Sequence, residues 1–304
     1  GNADMIIAVT LQDEINMVAC QMAHTFFKTP RKIARLRSED FLNPIWRDLY
    51  NADNMPIDLI ISPELEVAKS IERQLKSPGV HDVFPFFDEK VQLMNIKIHE
   101  DCPLIDTDLR SIYELFQGDE DIKKNLRASI IGIFRDKKLF IPKKNDTLNQ
   151  NDSIFLLTDN KHAHRAMSAF GLDEEPVNKI IIIGGGNIGF NLAKNIEETL
   201  DSVRVKIVEK NKERAEFLAN QLNDAIIING DALDEEVLIE ANLDEAETVL
   251  ALTNDDEDNL MVSVLVEKFA KDQKKLDEKR TMALTNKPNY SLLQSSLKID
   301  DLID

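Results

Sequence analysis

The chain is predicted to be α/β, with doubly wound parallel sheets on either side of a small α+β module. Three observations carry that prediction. Ile180-Ile181-Ile182-Ile183, apolar on both faces as a central parallel strand must be, runs straight into Gly184-Gly185-Gly186-Asn187-Ile188-Gly189 and an amphipathic segment. A segment near the N-terminus recurs at a constant offset of 243 residues. The stretch between the two copies carries no glycine loop and alternates like half-buried strands.

Taken in chain order, the first copy begins with Ala3-Asp4-Met5-Ile6-Ile7-Ala8-Val9-Thr10 and continues to Asn16. It returns as Ala246-Glu247-Thr248-Val249-Leu250-Ala251-Leu252-Thr253 and continues to Asn259. Arg31-Lys32-Ile33-Ala34-Arg35 is echoed by Arg280-Thr281-Met282-Ala283-Leu284, and residues 57–60 by 299–303, after a mixed-charge insertion at 274–279 read as a surface loop. The first copy opens at what is the fourth strand of a doubly wound sheet, so it reads as the second half of a domain cut into from its front. Strand 5–10 is then predicted to present an apolar edge that a second copy of the chain covers. Residues 63–76 have proline at the first helical position and acids in the first turn, which predicts a helix leading out of this half-lobe.

In the middle module, strands are predicted at 91–98, 128–134, 138–141 and 153–158, with helices at 108–116 and 161–170. Arg135-Asp136-Lys137 reads as the turn of a hairpin. The second copy is complete: strand 180–183, helix 188–199, strand 203–208, helix 211–222, strand 225–229 and helix 234–241 precede its fourth strand. The predicted divisions are 1–84, 85–173 and 174–304.

The glycine run carries the chemistry. In a Rossmann unit the first glycine makes the tight turn, the second lets a phosphate approach the backbone, and the third lets helix pack on strand, while the helix N-terminus attracts the phosphate charge. Here those are Gly184, Gly186 and Gly189, and Glu209 stands 20 residues beyond Gly189 at the end of the next strand. That is where such a unit keeps the carboxylate that accepts hydrogen bonds from a ribose 2′-OH.

The formal charge is −18, from 37 basic and 55 acidic residues, and no basic run with interleaved aromatics interrupts the excess, so no nucleic-acid partner is expected. Cys20 and Cys102 lack ligand spacing and read as reduced thiols of a cytoplasmic protein. Neither a membrane span nor a signal peptide is expected. Asp255-Asp256-Glu257-Asp258 lacks the spacing of a calcium loop and reads as acids favouring a helix N-terminus; His162 and His164, two apart, do not make a zinc pair. No general acid–base accompanies a hydride site, since His99 is paired with nothing recognisable, and no Gly-x-Ser-x-Gly elbow or Walker lysine is present. No catalytic residue and no metal ligand is therefore assigned.

Asp4 to Thr10, Asn16-Met17-Val18-Ala19-Cys20-Gln21, Lys32-Ile33-Ala34-Arg35, Gly184 to Gly189 and Thr253-Asn254-Asp255-Asp256-Glu257 together resemble one family over essentially the whole chain. It is the family of RCK (also KTN) regulatory subunits of Trk-type bacterial potassium uptake systems. The resemblance implies the second half of one nucleotide-binding lobe, an RCK C-terminal module and a second lobe; a complete member would add a front half and a second C-terminal module. It also implies binding of NAD(H) or ATP/ADP without catalysis, assembly as a homo-oligomeric ring, and gating of a membrane-embedded potassium channel or transporter subunit from the cytoplasmic face of the inner membrane. Carried onto this sequence, the implied ligand contacts are Gly184, Gly185, Gly186, Asn187, Ile188 and Gly189 at the phosphates and Glu209 at the ribose. Asp231 with Ala232 would lie beside the adenine, and Thr253 with Asn254 at the end of the fourth strand. Two other readings stay open: an NAD-dependent oxidoreductase, and a nucleotide-sensing regulator of another target.

Overall fold

Short runs of Ile, Val and Ala become the strands of three separate sheets in the computed structural model of the protein. The structure describes residues 2–42, 44–77, 79–117, 127–172, 177–200, 202–272, 279–287, 290, 299 and 301–303. The chain divides into two compact units, Gly1–Ala68 and Lys69–Asp304.

In the first unit, β1 (Met5–Ala8), β2 (Arg31–Arg35) and β3 (Leu59–Ile61) pair in parallel in that order. Helix α1 (Asp13–Phe27) makes the crossover from β1 to β2 and stops at Lys28, whose φ of 50° is left-handed; the Lys28 N–H closes onto His24 O and the Thr29 N–H onto Ala23 O. A short helix, α2 (Glu39–Leu42), and a 3-10 turn (Pro44–Leu49) precede β3. Ala8, Met17, Cys20, Ala34, Leu36 and Ile57 form the core. Among the described residues nothing pairs with the outer side of β1, and Met5, Ile7 and Val9 are exposed with the Ile15, Val18, Met22, Phe26 stripe of α1. Helix α3 (Pro63–Lys76) carries the chain from one unit into the next.

The second unit opens with an antiparallel sheet of β4 (Val80–Phe86), β5 (Val91–Lys97), β6 (Ala128–Arg135), β7 (Lys138–Phe140) and β8 (Ser153–Asp159), in the order β4-β5-β8-β6-β7. Helices α4 (Leu109–Gln117) and α5 (Ala163–Ala169) meet over a core that includes Met94, Ile96, Ile112 and Leu156, with Phe116 and Phe170 edge to face at 5.8 Å. Asp136 and Lys137 both have positive φ, 49° and 61°, so β6 and β7 are joined by the primed turn that suits a twisted hairpin. Strand β4 corrects the sequence reading, which had no strand there and put a division between 84 and 85, inside it. Pro85 argues against a strand, yet β4 is an edge strand, where a missing N–H costs no ladder bond.

The rest of this unit is a six-stranded parallel sheet with the order β11-β10-β9-β12-β13-β14. Its elements are β9 (Lys179–Ile183), α6 (Asn187–Thr199), β10 (Arg204–Glu209), α7 (Lys212–Gln221), β11 (Ile226–Asn229), α8 (Glu235–Glu240), β12 (Thr248–Ala251), α9 (Asp256–Asp272), β13 (Arg280–Leu284) and β14 (Asp301–Ile303). This is the doubly wound 3-2-1-4-5-6 order that the sequence predicted. Ile181, Ile183, Val249 and Ala251 pack on the side of α8 and α9, with Leu238, Val262 and Val266 in the same core. By strand alternation Ile180 and Ile182 face the other side. The predicted surface insertion lies outside the described residues except Lys279, which is no loop ornament: its Nζ donates to the carbonyls of Leu243, Asp244 and Ala246 at 2.6, 3.1 and 2.7 Å. Among the described residues no helix is long and apolar enough to cross a membrane.

Candidate nucleotide site

Strand β9 ends at the point where the sheet order reverses, between β10 and β12, which is where open α/β sheets take ligands. Gly184 turns there with φ +99°, a conformation that suits glycine, and its N–H donates to Val208 O at 2.9 Å. A Cβ on Gly184 would stand 3.0 Å from Thr253 N, and one on Gly189 only 2.1 Å from Gly184 O. One on Gly185 would stand 2.2 Å from Leu218 Cδ1. Gly184 and Gly189 are required by the protein's own backbone packing, and Gly185 lies against the buried Leu218 side chain. Gly186 is different, because a Cβ there would meet nothing within 4 Å.

Gly186 is also the N-cap of α6, and no side chain caps that helix. Its neighbours are capped: Asn211 accepts from Arg214 N at the start of α7, and Asp234 from Glu236 N at the start of α8. The start of α6 at Gly186 therefore sets the positive end of the helix dipole beside that open space.

Glu209 closes β10 beside this turn. Its Oε2 accepts from Gly185 N at 2.8 Å and its Oε1 from Asn211 N at 2.7 Å. A carboxylate has about four lone-pair sites, so acceptor capacity for hydroxyl donors is left. Arg214 braces the same loop from α7, with Nε donating to Gly185 O at 2.7 Å and the guanidinium 4.5 Å from the Phe217 ring centroid and 5.5 Å from that of Phe190.

At the end of β11, Asp231 forms an ion pair with Lys210 (2.6 Å), and its Oδ1 accepts from Leu233 N. The Lys210 ammonium, with help from the Leu233 N–H, holds the Asp231 carboxyl below its ordinary range. Ala232 is buried in the core behind and offers backbone only. Thr253 is already committed: its N–H and its Oγ1 both donate to Asn259 Oδ1, at 2.9 and 2.8 Å, while Asn254 is exposed at the tip of the loop. The predicted residues thus all stand at one end of the sheet.

Sequence reasoning missed Arg214, which has no motif, and Asn259, whose signal was available in the repeat. Asn259 is fully buried and also donates through Nδ2 to Thr253 O and Leu284 O, both at 3.0 Å. The acidic run resolves into helix-start chemistry, with Asp255 accepting from Asp258 N and Asp256 holding Asn286. His162 bonds Asp159 just ahead of α5. Among the described residues no group of three or more His, Cys, Asp or Glu could hold a metal ion.

Fold and glycine turn define a lobe of the doubly wound dinucleotide-binding type, with the Gly-x-Gly-x-x-Gly pattern at the turn. The chain belongs to the TrkA-N domain family, whose model matches residues 1–63 and 180–304, the two copies of the repeat. It is 38% identical over 302 residues to the Trk system potassium uptake protein TrkA of Azorhizobium caulinodans, covering 99% of this chain and 63% of that one. With its namesake from Vibrio alginolyticus it shares 35% over 289 residues, covering 95% and 59%. The chain therefore spans about three fifths of the length of these relatives. Among solved structures it shares its fold with the GsuK channel bound to NAD (TM-score 0.66, 18% identity, 99% of this chain and 49% of that one) and with the GsuK RCK domain (0.64, 19%, 99% and 59%).

Proposed function

We propose that the chain is the nucleotide-sensing part of a regulatory subunit that binds NAD(H) or ATP/ADP and gates a membrane potassium channel or transporter. The observation that carries the reading is Gly186. Three glycines of the turn answer to contacts inside the protein, whereas the space in front of this one is empty and lies against an uncapped helix start. A phosphate fits that cradle. The N–H groups of Asn187, Ile188 and Gly189 would hold it, Glu209 would accept from the ribose hydroxyls, and Asp231, Ala232, Thr253 and Asn254 would line the adenine and fourth-strand sides.

The potassium system enters through the relatives' name, and NAD through the neighbour's. In this reading the protein is no enzyme. It works at the cytoplasmic face of the inner membrane as a homo-oligomer, with the outer edge of β1 covered by a second copy. Its parts are a half-lobe with its exit helix, a C-terminal-type module that takes in β4, and the lobe 174–304. Bound nucleotide favours one of two lobe arrangements, and the coupling free energy of that choice biases the channel.

Calorimetry with NADH and with ATP tests the site. About one nucleotide should bind per chain, because only one copy of the repeat has the glycine turn. Gly186→Val should weaken binding at least about 100-fold, equivalent to roughly 2.7 kcal/mol. It should lower the melting temperature by no more than about 4 °C, since valine is a poorer N-cap than glycine by about 1 kcal/mol. Unchanged affinity in that variant overturns the reading.

A further inference from the structure

The structure assigns a specificity role to the pairing of Lys210 with Asp231: it holds away from the ribose the cation next to Glu209 in sequence, and so disfavours dinucleotides that carry a 2′-phosphate. This inference rests on the nucleotide reading of the site and goes beyond it by naming what selects the ribose.

A 2′-phosphate placed beside a carboxylate such as Glu209 needs a cation to offset like-charge repulsion. Two cations stand close in sequence, Lys210 and Arg214, and both are engaged. Arg214 is turned to Gly185 O and stacked on Phe217 and Phe190. Lys210 is held at both ends. Its carbonyl accepts from Asn229 Nδ2 at 3.2 Å, and that amide also donates to Glu209 O at 2.8 Å, so the ends of β10 and β11 are tied together. Gly230 N adds a third tie to Glu209 O at 3.1 Å. From that fixed backbone the ammonium reaches Asp231 Oδ2 at 2.6 Å. The pair lies in solvent, with side chains 74% and 41% exposed, which makes it a weak tie and one that a single substitution opens without harm to the core.

Asp231→Asn is the variant of choice, because an amide oxygen can still accept from Leu233 N, the contact that shapes this loop. The readout is the ratio of NADPH to NADH dissociation constants, in which any loss common to the two ligands cancels. Releasing Lys210 should shift that ratio toward NADPH about fivefold. Lys210→Ala together with Asp231→Asn should return it to the starting value.

A ratio that stays within about twofold in Asp231→Asn overturns the inference. So does a shift that persists without Lys210, since it would reflect loss of the aspartate charge alone. If the unsubstituted chain binds neither dinucleotide nor ATP, the site reading itself fails and takes this inference with it; if it binds ATP alone, only this inference falls. If NADH binds and the ratio does not move, only this inference falls.

Discussion

Ile7 and Leu250 hold the same place in the two copies of the repeat, yet Ile7 is 57% exposed and Leu250 fully buried. The local sequences are near equivalents, so the difference comes from neighbours. Leu250 lies between Ile182 of β9 and Met282 of β13, whereas Ile7 is matched only by Ile33 of β2. Asn16 and Asn259 show the opposite behaviour. Each is fully buried and makes the same four bonds. Asn16 accepts from Thr10 N and Oγ1 at 2.7 and 2.8 Å and donates to Thr10 O and Arg35 O at 3.0 and 2.9 Å, as Asn259 does to Thr253 and Leu284. A clamp that joins a strand end, the next helix and the next strand survives without a full sheet. Burial of the strand does not.

The comparison can be broken most severely at the buried strand. Leu250→Ala should cost its lobe about 3 kcal/mol, within the range for buried leucines, while Ile7→Ala should cost under about 1 kcal/mol in chains diluted to the monomer. Segment-resolved amide exchange measures both. Equal costs would mean that the β1 edge is covered in solution, and light scattering would then report the oligomer.

The clamp sharpens the comparison. Asn16→Leu and Asn259→Leu each strand buried backbone groups and should cost about 3 kcal/mol in their own region. Only the second should also weaken nucleotide binding, by about tenfold, because the Thr253 loop is what Gly184 packs against. Equal effects on binding in calorimetry would show that the two clamps do not differ in this respect.

The smallest effect belongs to Glu257. Hydrogen bonds from Lys287 and Tyr290 pull its carboxyl down from 4.5 to about 2. A depressed carboxylate contributes stability above its unfolded value and loses it as pH falls through its folded one, so this contribution should fade between pH 4.5 and about 2. The group is exposed, so the loss is slight. Carbon-detected titration should find Glu257 still ionised near pH ~3, and a midpoint near its ordinary value would dismiss the contact.

Much of the second lobe was legible because its signals are short-range. Four isoleucines, a glycine turn, an amphipathic helix and Glu209 fall within 30 consecutive residues, 180 to 209. Strand β4 was not legible, since Pro85 speaks against a strand unless its place at the sheet edge is known. Neither was the Lys210–Asp231 pair, because its partners stand 21 positions apart with a helix between them. Asn259 lay between these cases, repeated in the sequence but given a role only by the carbonyls around it.

By itself the sequence determined most of the element types, though not β4, with the turn at Gly184 and the twofold recurrence of strand, Thr and Asn. Periodicity, backbone freedom and capping act over a few residues, so they can be read in one dimension. Only the tertiary structure decided that Lys210 is engaged, and that Gly186 is the glycine of the turn that faces empty space. Each of those depends on atoms brought together from distant parts of the chain, and residue identity at one position does not specify what stands opposite it.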